Sequence, residues 1–393
     1  MRKQLTVALG LAVLATPAFA TKARLQALGE DVNGSFYVND NRNIWLNPAQ
    51  VNNHKDLVTF EWGDTNSGTA HLDTAAAPRA EGGVYRNAGN LVYGLHLGGG
   101  SNTSNDFRTA AGLGATGMED NNIDAFVGGD SGIKWGANLG YAYTHKDETP
   151  AGGEDAHQES LRARGGIVAG DLQAFGVLSL INTATDTAGA EFAGDIGYSL
   201  GATYALQGNT LFANWGQNKA EGESVGGTRS DIELRQVELG AGRITRLNDR
   251  ANFFSRISYT DTKAENEGGA TAFGSGSCAT AFALGCSKYK SITVPVVLGL
   301  EIEATSWLTF RGSVAQSVWS KEQDRDNDRP IRNTAVVNAG ATLKFGELSV
   351  DGMIGNTNTT STGSNETVGA TTANKGTLRT DVLMTRVGVT YRY

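Results

Sequence analysis

The stretch "GIKWGANLGYAYTHK", Gly132 to Lys146, alternates without a slip. Ile133, Trp135, Ala137, Leu139, Tyr141 and Tyr143 share one parity, and Lys134, Gly136, Asn138, Gly140, Ala142 and Thr144 the other. Successive side chains of a strand point to opposite faces, so this is a strand with one apolar face and one face of small or polar groups. A half-buried soluble sheet would read the same way, and the surrounding chain has to decide between the two.

The pattern recurs from Ile196 to Leu206, from Ile292 to Ile302 and from Ala335 to Phe345. Two segments are less regular. Leu172 to Thr183 is apolar on both parities, and Ile232 to Leu247 predicts a register slip near Gln236 of the kind a bulge causes. Pro295 removes one ladder donor from an otherwise regular strand.

Composition argues against a large dry core. Hydrophobic residues make up 39% of the chain, with 52 Gly and only 6 Pro, whereas soluble domains hold about 45–50% apolar residues. No stretch beyond the N-terminus approaches the roughly 18 consecutive apolar residues a spanning helix needs. A closed barrel reconciles these observations, because its apolar residues face lipid while its interior is polar.

At the N-terminus, "MRKQLTVALGLAVLATPAFA" carries Arg2 and Lys3, then an apolar run from Leu5 to Ala15, then Ala18-Phe19-Ala20. This reads as a signal peptide over 1–20, too short to span as a helix. Its removal takes the net charge from −8 to −10, a balance that disfavours nucleic acid as a partner.

Short connections fall at 86–90, 128–132, 169–171, 207–209, 248–250, 304–307 and 346–347. Longer polar loops fall at 64–81, 99–121, 147–156, 185–194, 220–230, 265–288, 323–333 and 358–378. Together they join sixteen antiparallel strands from Leu57 to the C-terminus, or fourteen if 57–63 and 82–86 lie outside the sheet. The fold class is therefore all-β: a transmembrane β-barrel over 57–393 with short periplasmic turns and long extracellular loops. Aromatic girdles agree with this, Trp135, Trp307, Phe345, Tyr391 and Tyr393 at the short-turn rim and Tyr143, Trp215, Tyr259 and Trp319 at the other.

The chain ends on "MTRVGVTYRY", in which Val387, Val389, Tyr391 and Tyr393 share one parity. A signal peptide combined with a last amphipathic strand ending in an aromatic resembles the bacterial outer-membrane β-barrel class. The resemblance implies residence in the outer membrane, contact with its lipid, and recognition of that strand by the barrel-assembly machinery.

The segment 21–56 precedes the barrel as a periplasmic or plug segment. Within it, "ALGEDVNGSFYVNDNRNIWLNPAQ" (Ala27–Gln50) resembles the N-terminal region of long-chain fatty acid transporters through Asp40, Asn41 and Asn47-Pro48-Ala49. It departs from their pattern at Asn41, where a second acid is usual, and at Gln50, where Gly is expected.

Parity places Lys134, Arg162, Arg164, Arg256, Arg311, Lys344, Arg386 and Arg392 inward, against Asp195, Glu238, Glu301, Glu303 and Asp351. Charges of both signs are costly in a dry interior and tolerable in a wet one. The leading expectation is a non-enzymatic porin-like channel with a water-filled lumen lined by these groups, admitting small hydrophilic solutes by passive diffusion, with homotrimer formation left open. The alternatives are a plugged transporter of hydrophobic compounds, which the fatty acid transporter resemblance implies, and a structural or adhesive surface barrel.

Other motifs carry less. Gly129-Asp130-Ser131-Gly132 matches the string around a serine-protease nucleophile but reads as a hairpin turn. His145, Asp147 and His157 flank one outer loop, where barrel proteases of the omptin kind hold acid–His pairs, but solvated loop residues are the default. Asp324 to Asp328 lacks the Gly and distal Glu of a calcium loop. No metal, cofactor or catalytic set is assigned. Cys278 and Cys286, both in the longest loop of an exported chain, are read as a disulfide.

Overall fold

The computed structural model describes residues 21–63, 80–99, 104, 107–108, 113, 119, 121–147, 155–225, 227, 229–267, 288–324, 327–329, 334–360 and 386–393. The signal peptide over 1–20, the Cys278–Cys286 pair and Arg325–Asp326 of the acidic loop lie outside them. The strands are β1 (Leu57–Gly63), β2 (Ala80–Ala88), β3 (Leu91–Leu97), β4 (Asn122–Asp130), β5 (Lys134–Lys146) and β6 (Ala156–Ala169). They continue as β7 (Leu172–Thr185), β8 (Glu191–Gly194), β9 (Gly197–Leu206), β10 (Asn209–Glu223), β11 (Arg229–Asn248) and β12 (Ala251–Glu267). The last six are β13 (Lys288–Glu303), β14 (Leu308–Asp324), β15 (Asn327–Arg329), β16 (Thr334–Phe345), β17 (Leu348–Thr360) and β18 (Arg386–Arg392).

Each strand pairs antiparallel with its neighbours, and β1 pairs with both β2 and β18, which closes the sheet. Segments β8 and β9 both lie between β7 and β10, and β15 and β16 both pair with β14. Counting each of these pairs as one interrupted stave gives a closed barrel of sixteen. Closure leaves no unpaired edge, which hydrocarbon requires of any sheet that crosses it.

Burial alternates as parity predicts. In β5 Trp135, Leu139, Tyr141 and Tyr143 point outward and Asn138 and Ala142 inward. Every aromatic assigned to a girdle is exposed on the outer face. Short turns stand where expected, at Gly89–Asn90, Gly170–Asp171, Gln207–Gly208, Asp249–Arg250 and Gly346–Glu347 among others.

Three irregularities have physical causes. The mixed parity of β7 comes from a bulge: Leu161 pairs with Ile181 and Arg162 with Ser179, so Leu180 is the extra residue and inward positions shift from odd to even. Pro295 sits at a second bulge, pairing with Ser317 while Val294 pairs with Trp319, so its missing donor falls where the ladder is already broken. The slip expected near Gln236 is not there. Gln236 pairs in register with Gly216 and Thr262, and the shift in β11 lies at its end, between Arg246 and Asn248.

Inside the barrel lies the N-terminal segment: helix α1 (Lys22–Ala27) and two short 3-10 helices, Asn41–Trp45 and Pro48–Asn53. Thr21 caps α1, Asp40 caps the first 3-10 turn and Asn47 the second, each accepting from a backbone N–H two or three residues on. Pro48 occupies the first turn, where its missing N–H costs nothing.

Candidate functional site

The wall receives this segment through glycines on the inward parity. Thr21 stands where a Cβ on Gly388 would be, Tyr37 lies over Gly242, the Pro48 carbonyl faces Gly136, and the Asn47 amide faces Gly166. Ala27 approaches Gly340, Val51 approaches Gly128, and Trp45 lies against Gly99. A side chain at any of these positions would push the segment off the wall. Leu25, Leu28, Val38, Ala49 and Val51 are buried as deeply as any core residue, so residues 21–56 form a plug.

Ion pairs join plug to wall. Arg24 donates to Glu301 (Nε–Oε2 3.1 Å) and to Asp40 (3.1 Å). Arg311 shares Glu301 from the wall side at 2.6 Å and reaches Asp351 at 3.1 Å. Burial opposes the charge on Arg24, but Glu301 and Asp40 outweigh it and hold the guanidinium above its usual range. Burial also lifts the Asp40 carboxyl to about 6 against the pull of Arg24.

Around the barrel, Arg42 meets Glu81 at 2.7 Å and Glu61 at 3.6 Å, and Lys22 meets Glu81 at 2.7 Å. On the far side Arg256 reaches plug Glu30 at 3.4 Å and wall Glu238 at 3.8 Å, with Tyr37 donating to Glu30 at 3.1 Å. Lys134 donates to Asn53 at 2.6 Å. Of the thirteen charges assigned to the lumen, Lys134, Arg256, Arg311, Glu238, Glu301 and Asp351 contact the plug or belong to a cluster that does. Among the others, Arg162 is bound bidentately to Glu119 at 2.7 and 2.8 Å, Arg164 meets Asp124 at 3.2 Å and lies 5.2 Å from the plug's Trp45 ring, Lys344 meets Glu303 at 3.6 Å, and Arg386 is buried. Val387, Val389, Tyr391 and Tyr393 hold the outward parity of β18 and the chain end.

Part of the lumen expected to be water-filled is thus occupied by residues 21–56. Part of the mixed charge inside this wall forms a docking surface for the chain's own N-terminus, where Arg256 and Glu301 pair with the plug's Glu30 and Arg24. The signal was present as inward aromatics, Tyr85, Phe126, Phe175, Phe212 and Phe254, all buried. Such rings have no place facing an open channel.

Plug and wall leave two cavities of about 280 Å³ each. The outer one lies among Arg162, Arg164, Asn182, Tyr198 and Asn218 of the wall, with Asn33, Arg42 and Trp45 of the plug. Arg42 and Arg164 each sit 5.2 Å from the Trp45 ring centroid, within cation–π range. The inner cavity lies among Gln173, Phe175, Thr203 and Thr210, with Phe36, Asn39 and Asn43, and reaches the short turn at Gly170–Asp171. Both are walled by β6, β7, β9 and β10.

The remaining motifs are surface features. Asp130 accepts from Gly132 N–H at 3.1 Å in an exposed tight turn. His145 bonds Asp147 at 2.7 Å, opposite His157 in the ladder and near Asp155, all exposed at the outer rim.

No family model matches the chain, and no curated protein does. Among solved structures it is similar to a bacterial polysaccharide outer membrane secretin (9% identity, 86% of this chain and 97% of that one, TM-score 0.46). It is also similar to the CymD monoaromatic hydrocarbon channel (10%, 96% and 98%, 0.41) and to a FadL homologue of Pseudomonas aeruginosa (12%, 95% and 98%, 0.40). The closed sixteen-stave wall, apolar outside and polar within, is the architecture of a transmembrane antiparallel β-barrel of the outer-membrane type.

Proposed function

We propose that this chain is a non-enzymatic outer-membrane channel whose lumen is closed by its own N-terminal segment, and that small polar solutes pass inward beside that plug. The observation that carries the reading is the pair of cavities, each with polar groups in its lining, one above the other along β6 to β10 on either side of the plug. Asparagine, serine, threonine and arginine side chains share these linings with Trp45, Phe107 and Tyr198 in the outer cavity and Phe36, Leu46 and Phe175 in the inner one, and the polar groups can replace the hydration of a polar solute.

Transport of hydrophobic compounds shares the plug but calls for an apolar lining and a lateral opening in the wall. The wall's interruption at Asp195–Ile196 is not such an opening: Asp195 N–H donates to the Lys219 carbonyl at 2.9 Å, and the ladder to β10 resumes on either side. The polar reading is therefore preferred.

Planar-bilayer recording tests it. The whole mature protein should give small conductance steps, and a variant lacking residues 21–50 should give steps several times larger, because the excised segment fills most of the lumen. Equal conductance from the two would overturn the reading.

A further inference from the structure

The two cavities are separated by the plug. Asn33 borders the outer cavity and Ser35 to Asn39 the inner one, and in the first 3-10 helix Arg42 and Trp45 border the outer cavity and Asn43 the inner, so the partition is the plug loop between Asp31 and Val38 together with that helix, with Phe36 on its inner side. At its tip the Phe36 ring lies 4.6 Å from Phe212 at an interplanar angle of 11° and 6.2 Å from Phe175 at 22°. All three rings are close to parallel.

The wall is shaped to hold those rings flat. Phe175 lies over Gly201 of β9 and Phe212 over Gly240 of β11, and a Cβ at either glycine would overlap the ring above it. The result is an aromatic patch facing the lumen, with Phe36 laid over it as a third layer. Parallel aromatic stacking is satisfied equally well by any planar ring that takes the same place.

The loop carrying Phe36 is anchored on either side of its tip. Asn43 accepts from Ser35 N–H and donates to the Val38 carbonyl, both at 2.8 Å, and Tyr37 and Ser35 donate to Glu30. Gly34, at φ +134°, supplies a backbone geometry other residues rarely adopt, just before the tip. Ser35 and Tyr37 are thus tied by hydrogen bonds, whereas the ring of Phe36 is held by stacking.

We infer that Phe36 is the selectivity residue of the path between the cavities, and that it favours small planar, ring-bearing polar solutes, whose own ring replaces it on the Phe175–Phe212 patch. The inference rests on the proposed passage beside the plug. A non-planar polyol of similar mass cannot replace the lost stacking, so the partition stays closed to it.

Uptake into proteoliposomes of radiolabelled uracil, planar and polar, and erythritol, a non-planar polyol, separates the outcomes once protein-free rates are subtracted. Wild type should pass uracil about three- to tenfold faster than erythritol, the ratio that one aromatic stacking pair supports. Phe36→Ala should raise the erythritol rate and bring that ratio close to one. Phe212→Ala, which alters the wall and leaves the plug sequence intact, should do the same, and heat-modifiable migration on gels confirms that each barrel has folded. Equal rates in wild type, or an unchanged ratio in both folded variants, overturn the assignment of Phe36 while leaving passage beside the plug standing. Failure of either solute to enter through wild type or variants, with entry restored by removing 21–50, overturns the passage itself.

Discussion

His54 closes the second 3-10 turn and is buried, with Arg392 of the wall, Lys134 of the wall and the Asp40 backbone around it. Burial, with Arg392 adding to it, lowers the imidazole from 6.5 to about 4. The folded value lies below the unfolded one, so the neutral ring contributes to plug docking above about pH 6.5, and that contribution is lost as pH falls through about 4. The effect is on the order of 3 kcal/mol at most. Asp40 works in the opposite sense: its carboxyl, raised to about 6, favours docking in acid and loses that contribution as pH rises through 6. The difference between wild type and His54→Gln isolates the histidine. Conductance of wild type should rise more steeply than that of the variant between pH 6.5 and 4, and parallel profiles would refute the assignment.

Strands were the most legible elements, because a period of two over ten or more residues has no competing explanation once the lipid-facing parity is recognised. Leu139, outward at the middle of β5, shows what that parity means energetically. Leu139→Arg should cost about 2–4 kcal/mol if the residue lies near the bilayer midplane, measured by urea unfolding in vesicles. A cost near zero would place β5 out of contact with lipid. Bulges were half legible. Mixed parity in β7 was visible and its cause, Leu180, follows from the pairing, whereas the slip anticipated at Gln236 reflected polar residues on the outer parity of a strand that runs past the girdle toward the outer rim. The plug was the least legible element. Asp40 and Asn47 stood out in the sequence through a resemblance rather than as caps, and inward Gly136 read only as one of the small or polar groups on its face, since an absent side chain reads the same whether water or backbone fills the space.

At the scale of the molecule, wall and plug are one design. A barrel of sixteen staves is wide enough for an aqueous channel, and here the width is taken up by 36 residues of the same chain whose arginines and carboxylates complete those of the wall. Under the proposed function, solute selection belongs to the gap between them rather than to the barrel's diameter. Hydrogen exchange followed by mass spectrometry on the wild-type protein in nanodiscs probes that arrangement without altering it. Peptides covering 21–56 should exchange slowly, on the timescale of peptides from the barrel strands, because the segment's backbone is shielded within the lumen. Complete exchange of 21–56 at the earliest time point, with the strands still protected, would contradict a docked plug.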